Sequence, residues 1–262
     1  MNLDLQNKNA LVCGGSRGLG KASAIELAKL GANVTLLSRN EELLQQTLVV
    51  LDTTLGQNHQ YIVTDFSDGI EVLEVKIKDL LKKHSIHILI NNTGGPKGGT
   101  LIDATSEQFL EAFNNHILIS HAMVNWLHPG MKEDGFGRII NIVSTSVRQP
   151  IPGLGVSNFT RGAMASWAKT LSHELASDGI TVNNILPGST KTERLDELIS
   201  AWAYMNNKTE DEMALELEKE LPIGRFGRPE EIGGVVAFIA SPAASYITGT
   251  SIPVDGGKIK SI

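Results

Sequence analysis

Short apolar runs alternate along this chain with longer stretches in which apolar residues recur at helical spacing. The short runs predict seven β-strands, because strands buried on both faces are apolar throughout rather than alternately polar. They cover residues 10–13, 34–37, 61–63, 86–90, 138–143, 180–186 and 250–254. Helical spacing fills a stretch from Glu41 and residues 21–30, 72–83, 106–127 and 157–177. This order predicts one α/β domain over residues 1–262, a Rossmann fold whose doubly wound, seven-stranded parallel sheet carries helices on both faces.

The pattern is interrupted after the sixth predicted strand, where residues 189–221 carry a helical pattern of their own. This segment holds Trp202, Tyr204 and Met205 among many acidic residues. It follows the carboxyl end of a strand, and open α/β sheets bind their ligands at that edge. We therefore expect a mobile lid insertion over a substrate pocket, with an ordinary pair of surface helices as the alternative.

Composition and charge exclude several classes of protein. The 262 residues are 41% hydrophobic and 20% charged, which is typical of a soluble globular protein. A formal net charge of −6 gives no reason to expect a nucleic acid or an anionic membrane as a partner. Cys13 is the only cysteine, residues 1–9 lack an apolar signal core, and no apolar run is long enough to span a bilayer. We therefore expect a cytoplasmic protein, and the spacing of its histidines and acidic residues predicts no metal site.

A glycine-rich turn joins the first predicted strand to the first predicted helix. It reads Gly14-Gly15-Ser16-Arg17-Gly18-Leu19-Gly20. A tight strand-to-helix turn needs residues without a Cβ, and the start of the helix offers free N–H groups and a positive dipole end to an anion. The strand–turn–helix context is the one that a dinucleotide site requires. The residues expected to bind the pyrophosphate of a nicotinamide dinucleotide are Gly14, Ser16, Arg17, Gly18, Leu19 and Gly20.

Ser38 and Arg39, at the end of the second predicted strand, indicate which dinucleotide is bound. This position meets the adenosine ribose, and an acidic residue here favours NAD by binding the 2′-hydroxyl. A hydroxyl and a guanidinium instead suit a 2′-phosphate, because arginine makes forked bonds to phosphate oxygens. Arg17, in the glycine turn, adds a second positive charge nearby. The sequence therefore predicts a preference for NADP(H) over NAD(H), and the alternative is that both arginines are only solvated.

Further polar and glycine motifs follow the ends of the later predicted strands. They are Asp65 after the third strand, Asn91-Asn92-Thr93-Gly94 after the fourth, Asn115 in the long helix, Ser144 after the fifth strand, Pro187-Gly188 with Thr190 and Thr192 after the sixth, and residues 245–249 and 254–257 around the seventh. Together with the glycine turn, these motifs resemble the short-chain dehydrogenase/reductase family, and most closely its 3-oxoacyl-acyl-carrier-protein reductase branch. The resemblance covers essentially the whole chain.

The resemblance implies roles for these residues. In this family a hydride passes between the nicotinamide and a carbonyl or alcohol carbon, and a tyrosine with a lysine one helical turn later serves the proton transfer. Ser144 would hold the substrate oxygen, and Asn115 would anchor a water relay. The implied cofactor contacts come from Asp65, Asn91, Gly94, Pro187, Gly188, Thr190 and Thr192. A homotetramer built through helices 106–127 and 157–177 and the C-terminal strand is also implied.

The chain departs from the family at the tyrosine and the lysine. Counting from Ser144, the family's spacing places Ser157 at the tyrosine position and Arg161 at the lysine position. A serine hydroxyl is a far weaker acid than a tyrosine phenol, whose pKa a neighbouring cation can lower toward neutral pH. Arg161 can bind ribose hydroxyls but stays protonated, so it cannot relay a proton. The expected catalytic residues are Ser144, Asn115, Ser157 and Arg161, with weak ordinary reductase activity unless another group supplies the proton.

Few other groups are candidates for the proton donor. Tyr61 falls in the third strand, and Tyr246 looks structural, whereas Tyr204 could reach the pocket when the lid closes. His116 could titrate near neutral pH, although a helix histidine without catalytic duty is the alternative. The remaining candidates are Ser146, a carboxyl group of the substrate, and a water molecule held by Ser144 and Asn115.

Three functions follow from these observations. The first is an atypical short-chain oxidoreductase that transfers a hydride between NADP(H) and a small carbonyl or hydroxy substrate, with 3-oxoacyl compounds among the candidates. The second is a non-catalytic NADP(H)-binding sensor or assembly subunit, which the missing tyrosine and lysine favour. The third is non-redox chemistry, such as dehydration or isomerisation, with the dinucleotide as a structural element.

Overall fold

The predicted strands form a single parallel sheet in the computed structural model, which describes residues 1–261. The strands are β1 (Asn9–Cys13), β2 (Asn33–Ser38), β3 (Gln60–Val63), β4 (Ile88–Asn91), β5 (Gly137–Ile142), β6 (Ile180–Pro187) and β7 (Ser251–Val254). Their order across the sheet is β3-β2-β1-β4-β5-β6-β7, and every neighbouring pair is parallel. This confirms the predicted seven-stranded, doubly wound sheet, in which the direction of strand order reverses between β1 and β4.

Helices cover both faces of the sheet. They are α1 (Gly18–Lys29), α2 (Glu41–Val49), α3 (Ile70–Leu81), α4 (Ser106–Phe113), α5 (Ile119–Glu133), α6 (Gly155–Leu175), α7 (Glu193–Met205), α8 (Glu210–Lys219) and α9 (Pro229–Ala240). Because successive strand side chains point to opposite faces, Val12 and Ile90 pack with α1 and α9, whereas Leu11 and Leu89 pack with α3, α5 and α6. No helix in the described part of the chain is long and apolar enough to cross a membrane.

A row of three asparagines and one serine, which we call the amide row, crosses four adjacent strands. Nδ2 of Asn91 donates to Oδ1 of Asn141 at 2.8 Å, and Nδ2 of Asn141 donates to Oδ1 of Asn184 at 2.9 Å. Nδ2 of Asn184 in turn donates to Oγ of Ser251 at 3.1 Å. These residues are partners in the strand register, and the three asparagines are buried. The row fixes the register of β4 to β7, because a slip of one residue would leave buried amides without partners.

Two helical features differ from the sequence prediction. The helix expected over residues 106–127 is divided, because a π-helical turn at Asn114–Leu118 separates α4 from α5. The sequence pattern also gave no helix at α9, which packs closely against α1. This helix is apolar on most of its circumference because it is covered by α1 on one side and by the sheet on another, so it lacks a polar stripe that marks an ordinary surface helix.

Residues 189–221 contain α7 and α8, the helix pair expected from the interrupted pattern. Leu195 and Ile199 of α7 share a small apolar cluster with Leu221 and Phe226, which follow α8. This cluster is separate from the two cores that cover the sheet. The helix pair is therefore a small unit with its own packing beside the carboxyl ends of the strands, and its motion stays a prediction.

Candidate active site

The glycine turn leaves an open cradle at the carboxyl end of β1. Gly14 has a left-handed backbone with a φ of 60°, and a Cβ on it would lie 2.6 Å from Nδ2 of Asn92. A Cβ on Gly20 would overlap the carbonyl oxygen of Gly14. Helix α1 begins within this turn, and the side chain of its N-cap residue, Arg17, makes no capping hydrogen bond. The free N–H groups and the space left by the missing side chains fit the pyrophosphate of a dinucleotide.

Asn92 stabilises this cradle, a role that was not predicted from the sequence. Its Nδ2 donates to the carbonyl oxygens of Cys13 and Gly14 at 3.3 and 3.4 Å, which joins the end of β4 to the turn after β1. Asn91 points differently, because its amide belongs to the row that crosses the sheet and donates to Asn141. The predicted contact of Asn91 with the cofactor stays a prediction.

The end of β2 carries the residues expected to select the cofactor. Oγ of Ser38 lies 2.9 Å from Oγ of Ser16, which links the strand end to the glycine turn. Arg39 is mostly exposed, and its Nη1 lies 3.6 Å from Oδ2 of Asp65. A hydrogen bond from the backbone N–H of Ser67, helped by the charge of Arg39, lowers the pKa of Asp65. These four predicted residues lie together, with one cation facing solvent beside two hydroxyl groups.

Arg17 is used differently from the sequence expectation. Its Nη1 lies 2.7 Å from Oε2 of Glu193 in the first turn of α7. Thr192, the N-cap of α7, also meets the glycine turn, because a Cβ on Gly18 would come within 3.6 Å of its Cγ2. Helix α7, which we call the lid helix, therefore rests on the glycine turn. In this arrangement Arg17 neutralises a carboxylate, and its predicted contact with the cofactor stays a prediction.

Pro187 ends β6 and leads into the segment expected to hold the nicotinamide. A Cβ on Gly188 would lie 2.7 Å from Cα of Asp255, so only glycine fits between this segment and the end of β7. Thr190 is buried, and its Oγ1 donates to the carbonyl oxygen of Gly188 at 3.1 Å. The Oγ1 of Thr192 accepts from a backbone N–H in the first turn of α7 at 3.4 Å. Both hydroxyl groups thus shape the loop between β6 and α7.

Ser144 follows β5 at the same edge of the sheet. Its Oγ accepts a hydrogen bond from the backbone N–H of Ser146 at 3.0 Å. That bond uses a lone pair, so the hydroxyl proton of Ser144 is free to be donated. Ser146 is buried, and its Oγ has no hydrogen-bond partner within residues 1–261. The two serines therefore offer a substrate oxygen one available donor and a second hydroxyl close by.

Ser157 and Arg161 lie one turn apart on α6, so they share a side of the helix. Arg161 is only 8% exposed, and its Nη1 donates to the carbonyl oxygen of Ile142 at 3.1 Å. Burial, and secondly the charge of Arg194, lower the pKa of Arg161 to about 10. Arg161 therefore remains a cation at neutral pH and lies against the strand end that leads to Ser144.

The π-helical turn carries Asn115 and His116, and such turns are frequent at functional sites. Asn115 is half-buried there. His116 is buried, with Nδ1 2.6 Å from Oγ1 of Thr93. Burial, and then the charge of Arg161, lower the pKa of His116 well below its ordinary value, although a hydrogen bond with the backbone of Gly94 opposes this. His116 is therefore uncharged at neutral pH, which favours the alternative of a helix histidine without catalytic duty.

The three tyrosines, which the sequence offers as candidate proton donors, lie on the edge strand or in solvent. Tyr61, on the edge strand β3, donates from its hydroxyl to Glu41 at 3.0 Å. Tyr204 is 87% exposed at the end of α7 that is remote from the glycine turn, and Tyr246 is fully exposed. The exposure of Tyr246 also corrects the expectation that it is structural. Within residues 1–261, no three His, Cys, Asp or Glu side chains are grouped to hold a metal ion.

Most of the predicted residues thus follow the carboxyl ends of β1 to β6, as the topology requires, whereas Asn115, Ser157 and Arg161 lie on the π-helical turn and on α6. The contacts that the sequence did not reveal are those between the lid helix and this edge, through Glu193 and Arg194. Their only signal in the sequence is a charged first turn after Thr192, and many surface helices begin that way.

Known proteins resemble this chain over nearly its whole length. A family model described as enoyl-(acyl carrier protein) reductase matches residues 14–258. A tropinone reductase homologue of Arabidopsis thaliana is 30% identical over 97% of this chain and 92% of its own. A 3-oxoacyl-[acyl-carrier-protein] reductase of Rickettsia conorii is 32% identical over 98% of this chain and 99% of its own.

Solved structures agree with these relatives. L-sorbose reductase from Gluconobacter frateurii, complexed with NADPH and L-sorbose, has a TM-score of 0.92 at 28% identity, and all of both chains is covered. An NADPH-dependent reductase involved in bacilysin biosynthesis has a TM-score of 0.90 at 29% identity, over 97% of this chain and 99% of its own. The fold, the site at the carboxyl ends of the strands and these matches all agree. The chain therefore belongs to the short-chain dehydrogenase/reductase family.

Proposed function

We propose that this protein is an NADP(H)-dependent oxidoreductase that interconverts a small carbonyl compound and its alcohol. The observation that carries the proposal is the position of Ser144, whose free hydroxyl proton lies at the same edge of the sheet as the glycine cradle. The two parts that hydride transfer needs, a dinucleotide cradle and a donor for the substrate oxygen, thus share one edge. A 3-oxoacyl compound is one candidate substrate. We assign residues 1–262 to a single dinucleotide-binding and catalytic domain.

The choice of NADP(H) is supported by the end of β2. Arg39 stands there with its guanidinium in solvent, beside the hydroxyl groups of Ser38 and Ser16. Three similar structures were solved with NADPH or NADP bound. The residues proposed to hold the cofactor are Gly14, Ser16, Arg17, Gly18, Leu19, Gly20, Ser38, Arg39, Asp65, Asn91, Gly94, Arg161, Pro187, Gly188, Thr190 and Thr192. For Arg17 this requires release of Glu193, which an exposed ion pair permits at about 1 kcal/mol or less.

The catalytic half of the proposal differs from the family pattern. The bound cofactor supplies the hydride. Ser144 donates its hydroxyl proton in a hydrogen bond to the substrate oxygen, and the cation of Arg161 favours negative charge developing near it. Ser157 and Arg161 stand at the positions of the family's tyrosine and lysine. Neither is a competent acid at neutral pH, so the proton reaches the oxygen from water anchored at Asn115.

We also propose a homotetramer. Leu110 is 69% exposed on α4, and Phe113, Leu118 and Phe159 are exposed on the neighbouring helical surfaces. A monomer seldom leaves such a group of large apolar side chains in water, which supports association through α4, α5 and α6. Light scattering on the wild type and on Leu110→Glu tests this, because a charge at a packed interface should lower the mass. Location in the cytoplasm stays a prediction.

The second candidate is a non-catalytic NADP(H)-binding subunit, which the serine and arginine at the tyrosine and lysine positions favour. The double change Ser157→Tyr with Arg161→Lys discriminates between the two functions. If the double variant alone reduces carbonyls, the natural site is a silenced one. If the change abolishes an activity of the wild type, the serine–arginine pair is itself functional.

Two measurements test the proposal. Calorimetry should give tighter binding of NADPH than of NADH, and a broad panel of carbonyl compounds should include at least one that oxidises NADPH. Ser144→Ala should then slow turnover by about 100-fold, because one oxyanion donor is worth that much. Ser166→Ala, on an exposed face of α6, is the matched control and should leave turnover unchanged. A Ser144→Ala enzyme with wild-type turnover would remove Ser144 from the mechanism.

A further inference from the structure

Two guanidinium groups converge on Gly95, in the loop that follows β4. Nη2 of Arg161 and Nη2 of Arg194 lie 3.8 and 3.7 Å from the point that a Cβ on Gly95 would occupy. Arg194 is held there because its Nη2 donates to the carbonyl oxygen of Pro96 at 3.0 Å. Since Gly95 has no side chain, it leaves unfilled a position in van der Waals contact with both guanidinium groups.

Arg161 has no counter-ion in the described part of the chain. Its one described hydrogen bond is to the carbonyl oxygen of Ile142, and its Nε is buried without a partner. Arg194 shares its charge only with Glu197, an exposed neighbour on α7 at 3.1 Å. A buried cation without a counter-ion is unfavourable, and a negatively charged ligand would remove that cost.

We propose that Arg161 and Arg194 form a subsite for a carboxylate of the substrate, so that the substrates are small oxo acids and hydroxy acids. The inference rests on the proposed function and names its substrate class. Planar guanidinium groups match the two oxygens of a carboxylate in forked hydrogen bonds. Arg161 contacts the backbone two positions before Ser144, so a carboxylate at this pair would lie near the substrate oxygen that Ser144 is proposed to hold.

The cofactor's own phosphates do not account for the pair. They are assigned to the start of α1 and to the end of β2, where Ser38 and Arg39 lie. Arg194 instead comes from the lid helix α7 and contacts the loop after β4. Helix α7 therefore already places one of the two cations at the subsite, where it would shield a bound carboxylate from water.

Calorimetry with oxalate on protein saturated with NADP⁺ tests the subsite. Oxalate should bind and its uncharged diamide, oxamide, should not. Arg194→Gln and Arg161→Gln should each weaken oxalate binding by about 10-fold or more, because each removes charged hydrogen bonds. Arg228→Gln is the matched control, since this exposed arginine pairs with Glu231 at the start of α9, and it should leave oxalate binding unchanged. Arg194 is exposed, so its variant reports binding even if Arg161→Gln fails to fold.

Each alternative result is decisive. Equal oxalate affinity in the wild type and Arg194→Gln overturns the subsite. So does an Arg194→Gln variant that loses affinity for NADP⁺ but not for oxalate, because the pair would then belong to the cofactor. If neutral carbonyl compounds are reduced while oxalate fails to bind, the subsite falls and the proposed function stands. If oxalate binds through both arginines while no carbonyl compound is reduced, the subsite stands and the proposed function falls.

Discussion

The guanidinium of Arg161 donates to the carbonyl oxygen of Ile142 over 3.1 Å, which fixes a buried cation at the strand end that leads to Ser144. Replacing a buried charge by an apolar side chain is often neutral or stabilising. Arg161→Met should therefore keep or raise the free energy of unfolding while it lowers kcat for carbonyl reduction by about 100-fold. Urea unfolding and steady-state NADPH oxidation measure the two quantities.

Arg138→Met is the matched control for this prediction. Arg138 is also buried, at the opposite end of β5, where it donates to the carbonyl oxygen of Gly137 and stacks 4.0 Å from the centre of the Phe136 ring. Its replacement should alter stability and leave kcat per folded molecule unchanged. Wild-type kcat in Arg161→Met would contradict the catalytic assignment.

The exposed Arg39 should determine the preference for NADPH. Arg39→Gln removes the cation beside Ser38 and should weaken NADPH binding by about 10-fold, since a charged hydrogen bond to phosphate is worth roughly 1.5–3 kcal/mol. NADH, which has no 2′-phosphate, should bind as before. Fluorescence titration with both cofactors checks this, with the exposed Arg148→Gln as the control. An equal loss for NADPH and NADH would show that Arg39 does not contact the phosphate.

The amide row should contribute strongly to stability. Asn141 is fully buried and bonded to both Asn91 and Asn184, so Asn141→Ala leaves Nδ2 of Asn91 without its acceptor and Oδ1 of Asn184 without its donor. The expected loss in free energy of unfolding is about 2–4 kcal/mol. Asn125→Ala, on the exposed face of α5, should change it by less than about 0.5 kcal/mol. Denaturant titrations giving equal losses for both variants would refute the structural role of the row.

Glu231 should make stability depend on pH in the acid range. Forked hydrogen bonds from Arg225, at 2.7 and 2.8 Å, and then the backbone N–H of Arg228 lower the pKa of Glu231 from 4.5 to about 2. A carboxyl group whose pKa is lowered by folding stabilises the folded protein at pH values above its pKa in the unfolded chain. This contribution is lost as the pH falls from about 4.5 toward 2. Glu231→Gln should therefore lose less stability than the wild type over that range. The neighbouring Glu230→Gln should follow the wild type, and identical curves for all three proteins would contradict the prediction.

The sheet could be predicted from the sequence because its strands are continuously apolar, and few other structures produce that pattern. It did not reveal α9, since a helix covered on most sides loses the polar stripe that identifies a surface helix. The π-helical turn at Asn114–Leu118 also has no local signal, because its residues are compatible with an ordinary helix.

The site was predictable where it depends on backbone shape. Gly14 and Gly20 are required by close contacts with the chain itself, and strand order brings Ser144 to the same edge. The pairing of Arg17 with Glu193 and the approach of Arg194 to Gly95 were not predictable, because they depend on where the lid helix settles. Long-range contacts of charged side chains carry no spacing signal along the chain.

Deuterium transfer in a single turnover tests directly whether this protein transfers a hydride from NADPH to a carbonyl carbon. Protein loaded with NADPH that carries deuterium at both C4 positions of the nicotinamide is mixed with a panel of small carbonyl compounds, oxo acids included, and the products are analysed by mass spectrometry. We predict deuterium on the new alcohol carbon of at least one product, and this product should form far more slowly with Ser144→Ala. Tight NADPH binding with no deuterium in any product would contradict it and assign the protein to the non-catalytic class.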